Sequence, residues 1–304
     1  MDEIEKYSII GEGTFGKVIH PAILSKCSEH EMPKEHYVSK ILPIKQAEIE
    51  SSSLNKMPKE LDGMLYFTEN SYCIVDETNK HILEKLGINS KDMVCVNMVY
   101  LPGLELNNYL EQYKIEENQT NRWHHNYIFR DEIPEIPREL ILKLFMGLSK
   151  FYPKVESLNK DYNYYHNDIS ATNIIYSKNE FYLIDFGFSS DKPKNKNPNF
   201  DILGVIDTFN TILLTIPYLT NNEDLKLIYK SYNDELDSYY KTIKLQPRDN
   251  EAIFKFQKTL FENKLNEFIK LQTPPINEIN GGKKNKTKRH MKKRHTKKRK
   301  TKKH

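Results

Sequence analysis

Three polar side chains that could bind a metal ion or accept a proton fall within one short stretch of this 304-residue chain. They are Asp168, Asn173 and Asp185. Two runs typical of β-strands, residues 173–176 and 181–184, flank a polar turn, so the stretch is predicted to form a hairpin. All three side chains would then lie at the same end of that hairpin. Hard oxygen ligands of this kind favour Mg²⁺, with phosphate oxygens in its remaining positions.

A second candidate for phosphate binding lies near the N terminus. Three of the 11 glycines in the chain, Gly11, Gly13 and Gly16, occur within six positions between two predicted strands. Glycines in a strand–turn–strand context let backbone N–H groups approach anionic oxygens closely. An ordinary hairpin turn is the alternative.

A lysine in a predicted strand and a glutamate in a predicted helix follow this turn. Lys40 lies in residues 37–42, whose alternating pattern predicts a strand, and Glu50 lies on the apolar face of a predicted helix. We select Glu50 rather than Glu48 as the partner because of that inward face. A solvent-exposed lysine on an edge strand is the alternative.

The order His-x-Asp-x-x-x-x-Asn followed by Asp-Phe-Gly, from His166 to Gly187, resembles the catalytic core of the protein kinase superfamily. The glycine turn and the segment around Lys40 are similar to the same family. The resemblance implies a bilobal α+β fold, with an antiparallel sheet plus one helix in the N-lobe and a mainly helical C-lobe. It also implies ATP and Mg²⁺ as cofactors. The bias towards Asn, Lys, Ile and Tyr resembles divergent Ser/Thr protein kinases of large cytoplasmic DNA viruses.

The resemblance assigns catalytic roles by position. Asp168 would be the catalytic base, whereas Asn173 and Asp185 would bind the metal ion. Lys40 would contact the α and β phosphates of ATP, held in place by Glu50.

The same resemblance predicts the nucleotide site. The glycine turn would cover the phosphates and Val18 would pack on the adenine. A Leu-Pro-Gly sequence after an apolar run is similar to the family's hinge. There Met98 would guard the back pocket, the backbone around Tyr100 would hydrogen-bond adenine, and Glu105 would face the ribose. A simple strand end is the alternative.

The sequence departs from the family pattern in the catalytic loop and after Asp185. Asn167 replaces the Arg that normally grips an activating phosphate, and Ser170 replaces the Lys that contacts the transferred phosphate. In the family an Ala-Pro-Glu sequence separates the Asp-Phe-Gly from an aspartate that holds the catalytic loop. Here Asp201 would be that aspartate, and no Ala-Pro-Glu lies between it and Asp185. The favoured acceptor is a Ser or Thr hydroxyl of a protein. A small-molecule kinase similar to choline or aminoglycoside kinases, and a pseudokinase tethered to nucleic acid, are the alternatives.

Charge divides the chain into two parts. Residues 283–304 hold 14 of the 46 Lys and Arg residues and no acid, so the remainder carries 32 basic against 42 acidic side chains. We predict a kinase-like domain over residues 1–278, with the lobes meeting near residue 100, and a disordered tail over 279–304. The tail could bind nucleic acid, an acidic partner or a nuclear import receptor, or remain solvated.

Composition excludes several other classes of protein. The three cysteines are widely separated and lack metal-ligand spacing, which indicates a reducing compartment. We expect a soluble intracellular protein without a membrane partner, because no apolar run is long enough to span a bilayer and no secretory signal is recognisable. A viral chain would act in the host cytoplasm, the nucleus or the virion. Residues 115–137 do not match the family and are interpreted as a surface insertion, with metal binding by His124 and His125 as the alternative.

Deleting residues 283–304 is expected to abolish salt-sensitive binding to DNA or RNA and to leave turnover of a small soluble substrate nearly unchanged. The tail carries the cations, and each duplex phosphate that it neutralises would steepen the log–log salt dependence by about 0.9. Turnover and nucleic-acid affinity of the full-length and truncated chains, measured across a salt series, test this. An affinity that does not depend on the tail would refute recruitment, and altered turnover at low salt would mean that the tail gates the site.

Overall fold

The structure is a computed structural model, in which the chain divides into two units, Met1–Gln272 and Thr273–His304. The described residues are 6–13, 16–23, 34–55, 67–75, 77–112, 137–214, 216, 222–243 and 249–272. The predicted tail and nearly all of the predicted insertion lie outside these residues. The description below therefore concerns the first unit.

An antiparallel sheet forms the N-terminal part of this unit. Its strands are β1 (Ser8–Glu12), β2 (Lys17–His20), β3 (Tyr37–Pro43), β4 (Phe67–Ile74) and β5 (Met93–Val99). They lie in the spatial order β1-β2-β3-β5-β4, and each neighbouring pair is antiparallel. Strand β3 is therefore central, and it pairs with β5 over its whole length.

Helices cover both faces of this sheet. Helix α1 (Ile44–Asn55) buries Ala47 against Leu42 on one face, and helix α2 (Glu77–Lys85) buries Leu83 against Ile41 on the other. The expectation of a single helix in this region is therefore wrong. Helix α2 was missed because its only large apolar residues are two adjacent ones, Ile82 and Leu83, which show no helical period.

The remainder of the described chain is mostly helical. Its helices are α3 (Leu106–Glu111), α4 (Arg138–Lys160), α5 (Phe200–Leu213), α6 (Glu223–Ile243) and α7 (Asn250–Lys270). Helices α4, α5 and α7 meet around aromatic rings, with Phe145 stacked on Phe268 at 3.9 Å and Phe209 edge-on to Phe261. The fold is thus α+β, with an antiparallel sheet and a largely helical remainder.

A small second sheet carries the hairpin predicted from the sequence. It consists of β6 (Leu104–Glu105), β7 (Ile174–Ser177) and β8 (Glu180–Leu183), in that order. Lys178 and Asn179 connect β7 to β8 with φ values of 50° and 63°, as a two-residue turn with two left-handed positions requires. Pairing with β6 ties the hairpin to the chain that leaves the large sheet.

Helix α5 approaches the loop before the hairpin closely at Gly204. A Cβ atom there would lie 2.4 Å from the carbonyl oxygen of Ile169 and 2.8 Å from its Cβ. Only glycine permits this approach without a shift of the backbone.

Substituting Gly204→Ala is expected to lower the free energy of unfolding by about 1 to 3 kcal/mol, because overpacking against a backbone carbonyl outweighs the gain in helix propensity. Chemical denaturation measures the loss. Thr211→Ala, in the same helix but half-exposed, is the control and should change stability by less than about 0.5 kcal/mol. Equal stability of Gly204→Ala and the parent would contradict the close-packing argument.

Candidate functional site

Lys40 on β3 lies between two carboxylates that come from distant parts of the chain. Its Nζ is 2.9 Å from both carboxylate oxygens of Glu50 on α1 and 3.1 Å from Oδ1 of Asp185 after β8. Glu50 is 1% exposed. The Asp185 side chain, by contrast, is 37% exposed. One ammonium group therefore joins the large sheet, helix α1 and the hairpin.

Burial and charge act in opposite directions on this cluster. Burial lowers the pKa of Lys40, but the charges of Glu50 and Asp185 outweigh it and hold that pKa above its ordinary value. Burial raises the pKa of Glu50, and Lys40 opposes that rise only in part. The raised pKa of Lys40 requires an ionised Glu50, whereas the raised pKa of Glu50 favours the protonated carboxyl group. Because both of its oxygens accept from the same ammonium, we assign a charged Lys40 and an ionised Glu50.

Asp201, at the start of α5, fixes the loop that precedes the hairpin. Its two carboxylate oxygens accept hydrogen bonds of 2.7 Å from the backbone N–H groups of His166 and Asn167. Burial raises the pKa of this carboxyl group to about 6, although the two N–H donors lower it. The group is therefore ionised at neutral pH and serves as a double acceptor. Asp201 was expected to hold the catalytic loop, and its carboxylate does hold the backbone at His166 and Asn167.

His166 is a packing residue rather than a proton carrier. Its ring is fully buried and lies edge-on to Phe186 at 4.7 Å. Its Nε2 lies 3.0 Å from the carbonyl oxygen of Ile184, so Nε2 must be the protonated nitrogen and donate. Burial lowers the pKa of His166 to about 4, so the ring stays neutral.

Asn173 orients Asp168. The Nδ2 group of Asn173 donates to the backbone oxygen of Asp168 at 2.8 Å and to its Oδ2 at 2.9 Å. Because both partners are acceptors, the amide can face them only with its nitrogen. The Oδ1 atom of Asn173 is thus turned away from these acceptors, as a metal ligand would require.

Asp185 has a left-handed backbone conformation and a side chain that is held by two donors. Its φ of 61° places it in the left-handed region, and its Oδ1 accepts from Lys40 and, at 3.4 Å, from the N–H of Gly187. Among the described residues there is no cluster of three or more His, Cys, Asp or Glu side chains that could enclose a metal ion. The donor set is instead one amide oxygen and one carboxylate. Such a set suits Mg²⁺, which commonly takes one or two carboxylates together with phosphate oxygens and water.

Residues of the glycine turn, of β2 and of β3 lie side by side on one face of the large sheet. Gly11 pairs with Val18, and Val18 pairs with Lys40, so these three positions form a row on that face. Met98 pairs with Val38 and falls on the same face, two positions along the strand.

Two further glycines follow Gly11 between β1 and β2. A Cβ at Gly16 would lie 2.2 Å from the carbonyl oxygen of Ile41, so no larger residue fits. The N–H of Gly13 donates to the carbonyl oxygen of Gly16 at 2.9 Å. Thr14 and Phe15, at the tip of the turn, lie outside the described residues.

Tyr100 and Glu105 lie on the connection between the two parts of the unit. The N–H of Tyr100 donates to the carbonyl oxygen of His36 at 2.8 Å, and its ring packs on His20 with centroids 4.1 Å apart. The N–H of Tyr100 is therefore already engaged within the protein. Burial raises the pKa of Glu105, whose carboxylate accepts from Asn108 at 3.1 Å.

A chain of hydrogen bonds that the sequence did not reveal links α1 to the loop before the hairpin. The hydroxyl of Tyr164 donates to the carbonyl oxygen of Ser53 at 2.6 Å, and the hydroxyl of Ser53 donates to the carbonyl oxygen of Ser189 at 2.9 Å. Burial raises the pKa of Tyr164 to about 12, so its hydroxyl remains a donor. The only sequence signal was a tyrosine two positions before His166, which a strand or a loop accommodates equally well.

No protein-family model and no curated protein matches this chain. None of the helices in the described ranges is long and apolar enough to cross a membrane.

Proposed function

We propose that this chain is an ATP- and Mg²⁺-dependent phosphotransferase with a bilobal, protein-kinase-like fold. One observation carries the proposal: Lys40 bridges Glu50 and Asp185, while Asp168 is oriented by Asn173 on the loop that precedes the same hairpin. Lys40 and Asp185 are 145 residues apart in sequence, yet their side chains meet, and this convergence of an ammonium group with carboxylates supports phosphoryl transfer as the proposed reaction. The acceptor that we favour is a Ser or Thr hydroxyl of a protein.

Each side chain has a separate task in the proposed reaction. Lys40 attracts the phosphates of ATP, and Glu50 keeps its ammonium group aimed at them. Asp168 accepts a hydrogen bond from the acceptor hydroxyl and takes its proton as the hydroxyl oxygen bonds to the γ-phosphorus of ATP. The bond from that phosphorus to the β–γ bridging oxygen breaks at the same time, and ADP leaves. Asn173 and Asp185 would hold Mg²⁺, which when bound supplies positive charge to the phosphate oxygens.

The orientation of Asp168 supports catalysis over nucleotide binding alone. A protein that only bound ATP would need Lys40 and Asp185, but it would not need a second carboxylate held by an amide at the mouth of the hairpin. This contact disfavours a pseudokinase.

A small-molecule acceptor is the second candidate function. Between Asp185 and α5 the chain forms only short 3₁₀ turns, which leaves little surface for a peptide. Ser170 is engaged by the hydroxyl of Thr172 at 2.7 Å and supplies no positive charge. Labelled ATP offered with protein mixtures, and separately with amino alcohols and aminoglycosides, distinguishes the two acceptor classes.

Asp168→Asn is expected to abolish transfer while leaving the affinity for Mg-ATP within a few fold, because the base contacts the acceptor and not the nucleotide. Asp185→Asn should weaken metal-dependent nucleotide binding as well as transfer. Isothermal titration with Mg-ATP and a single-turnover transfer assay measure the two effects. Full activity of Asp168→Asn would exclude its catalytic role.

Activity should not depend on phosphorylation of the segment after Asp185. Ser189 is 6% exposed, and the hydroxyl of Ser190 already donates to the carbonyl oxygen of Lys192 at 2.7 Å. Phosphatase treatment of the purified protein is expected to leave turnover unchanged, and Ser189→Ala together with Ser190→Ala should lower it by a few fold at most. Loss of activity in both experiments would show that a phosphate is required.

A further inference from the structure

Asn167 makes an unusual number of contacts for one short side chain. It is 4% exposed. Its Nδ2 lies 3.1 Å from the carbonyl oxygen of Phe188, 3.1 Å from the hydroxyl of Ser190 and 3.0 Å from the carbonyl oxygen of Lys192. Its Oδ1 accepts from the N–H of Lys194 at 2.7 Å. All four partners belong to the segment that leaves the candidate site after Asp185.

The backbone of Asn167 directs its side chain towards this segment. Its N–H is fixed by Asp201, and its φ of 65° lies in the left-handed region, which asparagine tolerates better than most residues. The amide cannot be reversed without placing its oxygen against two carbonyl oxygens. Residue type, backbone conformation and hydrogen-bond pattern therefore all specify the same arrangement.

Other contacts hold the same segment from a second side. Tyr165 and Ser190 exchange two backbone hydrogen bonds, of 2.8 and 2.9 Å, and the carbonyl oxygen of Ser189 accepts from Ser53. Beyond Ser190, Asn167 is the residue before the hairpin that engages the backbone at Lys192 and Lys194. Local contacts add to it, because the hydroxyl of Ser190 bonds to both backbone groups of Lys192 and the N–H of Asn197 donates to the carbonyl oxygen of Lys194. Removing its side chain would release that part of the segment first.

We propose that Asn167 is a positioning residue for phosphoryl transfer, which holds residues 188–194 permanently in the conformation that lets an acceptor reach Asp168. The inference rests on the proposed function and adds a regulatory consequence to it. The neutral amide binds backbone groups directly, so the segment is ordered without any charged ligand. Because Asn167 immediately precedes Asp168, the same contacts also fix the direction from which that carboxylate meets the acceptor.

Two substitutions separate the side-chain contacts from the backbone conformation. Asn167→Gly removes every side-chain contact but retains a residue that adopts positive φ without strain. Asn167→Asp keeps the shape and the acceptor for the N–H of Lys194, but it turns a carboxylate oxygen towards the carbonyl groups of Phe188 and Lys192. Asn179→Gly is the matched control, because Asn179 also has positive φ and one side-chain hydrogen bond, from Tyr176, but lies at the far turn of the hairpin.

For both Asn167 variants, kcat for transfer is expected to fall roughly tenfold to a hundredfold, as small displacements of a catalytic group do. The Kd for Mg-ATP should stay within a few fold, since Lys40 and Asp185 are untouched. Amide hydrogen exchange at Lys194 should become faster in Asn167→Gly, which removes the acceptor of that N–H, and should change less in Asn167→Asp, which keeps it. A general loss of structure would instead weaken nucleotide binding in parallel. The control should match the parent in all three measurements.

The outcomes distinguish this inference from the function on which it rests. Reduced kcat with retained nucleotide affinity, and faster exchange at Lys194 in Asn167→Gly, would support it. Transfer by the parent together with an unchanged kcat in Asn167→Gly would overturn the positioning role alone. Absence of transfer by the parent on every acceptor class would overturn the proposed function, and the positioning role with it.

Discussion

The buried carboxylate of Asp201 is the constraint on which the candidate site depends. Removing a carboxylate from water raises the free energy of the folded protein unless its oxygens are hydrogen-bonded. Here two consecutive backbone N–H groups supply those bonds. Asn159 adds a third donor, 3.0 Å from Oδ2, when its amide nitrogen faces Asp201. Satisfying this one group forces residues 166 and 167 into a fixed conformation, with Asn167 at positive φ. The position of Asp168 follows directly, because it is the next residue.

From this anchor, short contacts extend to the large sheet. His166 packs on Phe186 and donates to Ile184, which fixes the chain on either side of Asp185. Asp185 then meets Lys40 on β3. The close approach of Gly204 to Ile169 holds α5 against the same loop, so the carboxylate and the loop cannot separate without disrupting packing. Contacts that begin in the helical part of the unit therefore fix the geometry of the site.

The parts of this arrangement that depend on local patterns could be predicted from the sequence. The hairpin follows from alternation and a polar turn. The helical stripe selects Glu50 over Glu48, whereas the contact of a glutamate with Lys40 was expected from the family resemblance. Asp201 could be selected only by resemblance to a family, since nothing in its neighbours marks it as a hydrogen-bond acceptor. Helix α2 was missed because its apolar residues are adjacent rather than periodic.

Contacts from side chains to distant backbone groups could not be predicted from the sequence. The partners of Tyr164 and Asn167 are mostly carbonyl and N–H groups, which every residue possesses, so the partner's identity carries no information. The substitution at Asn167 was visible as the loss of a positive charge. The amide of Asn167 binds four groups of one segment. These contacts could be recognised only from the positive φ of Asn167 and the course of that segment in the structure.

The ion pair between Lys40 and Glu50 limits how an enzyme of the proposed kind could be regulated. Glu50 is almost fully buried, so moving α1 away from β3 would leave a buried charge without its partner, at a cost of about 3 to 5 kcal/mol. The hydrogen bond from Tyr164 to Ser53 opposes the same movement from the other side. A ligand that favoured a state without the ion pair would therefore have to stabilise it by a comparable amount. Control of the proposed reaction through access of the acceptor or through recruitment would leave the contacts among Lys40, Glu50 and Asp185 intact.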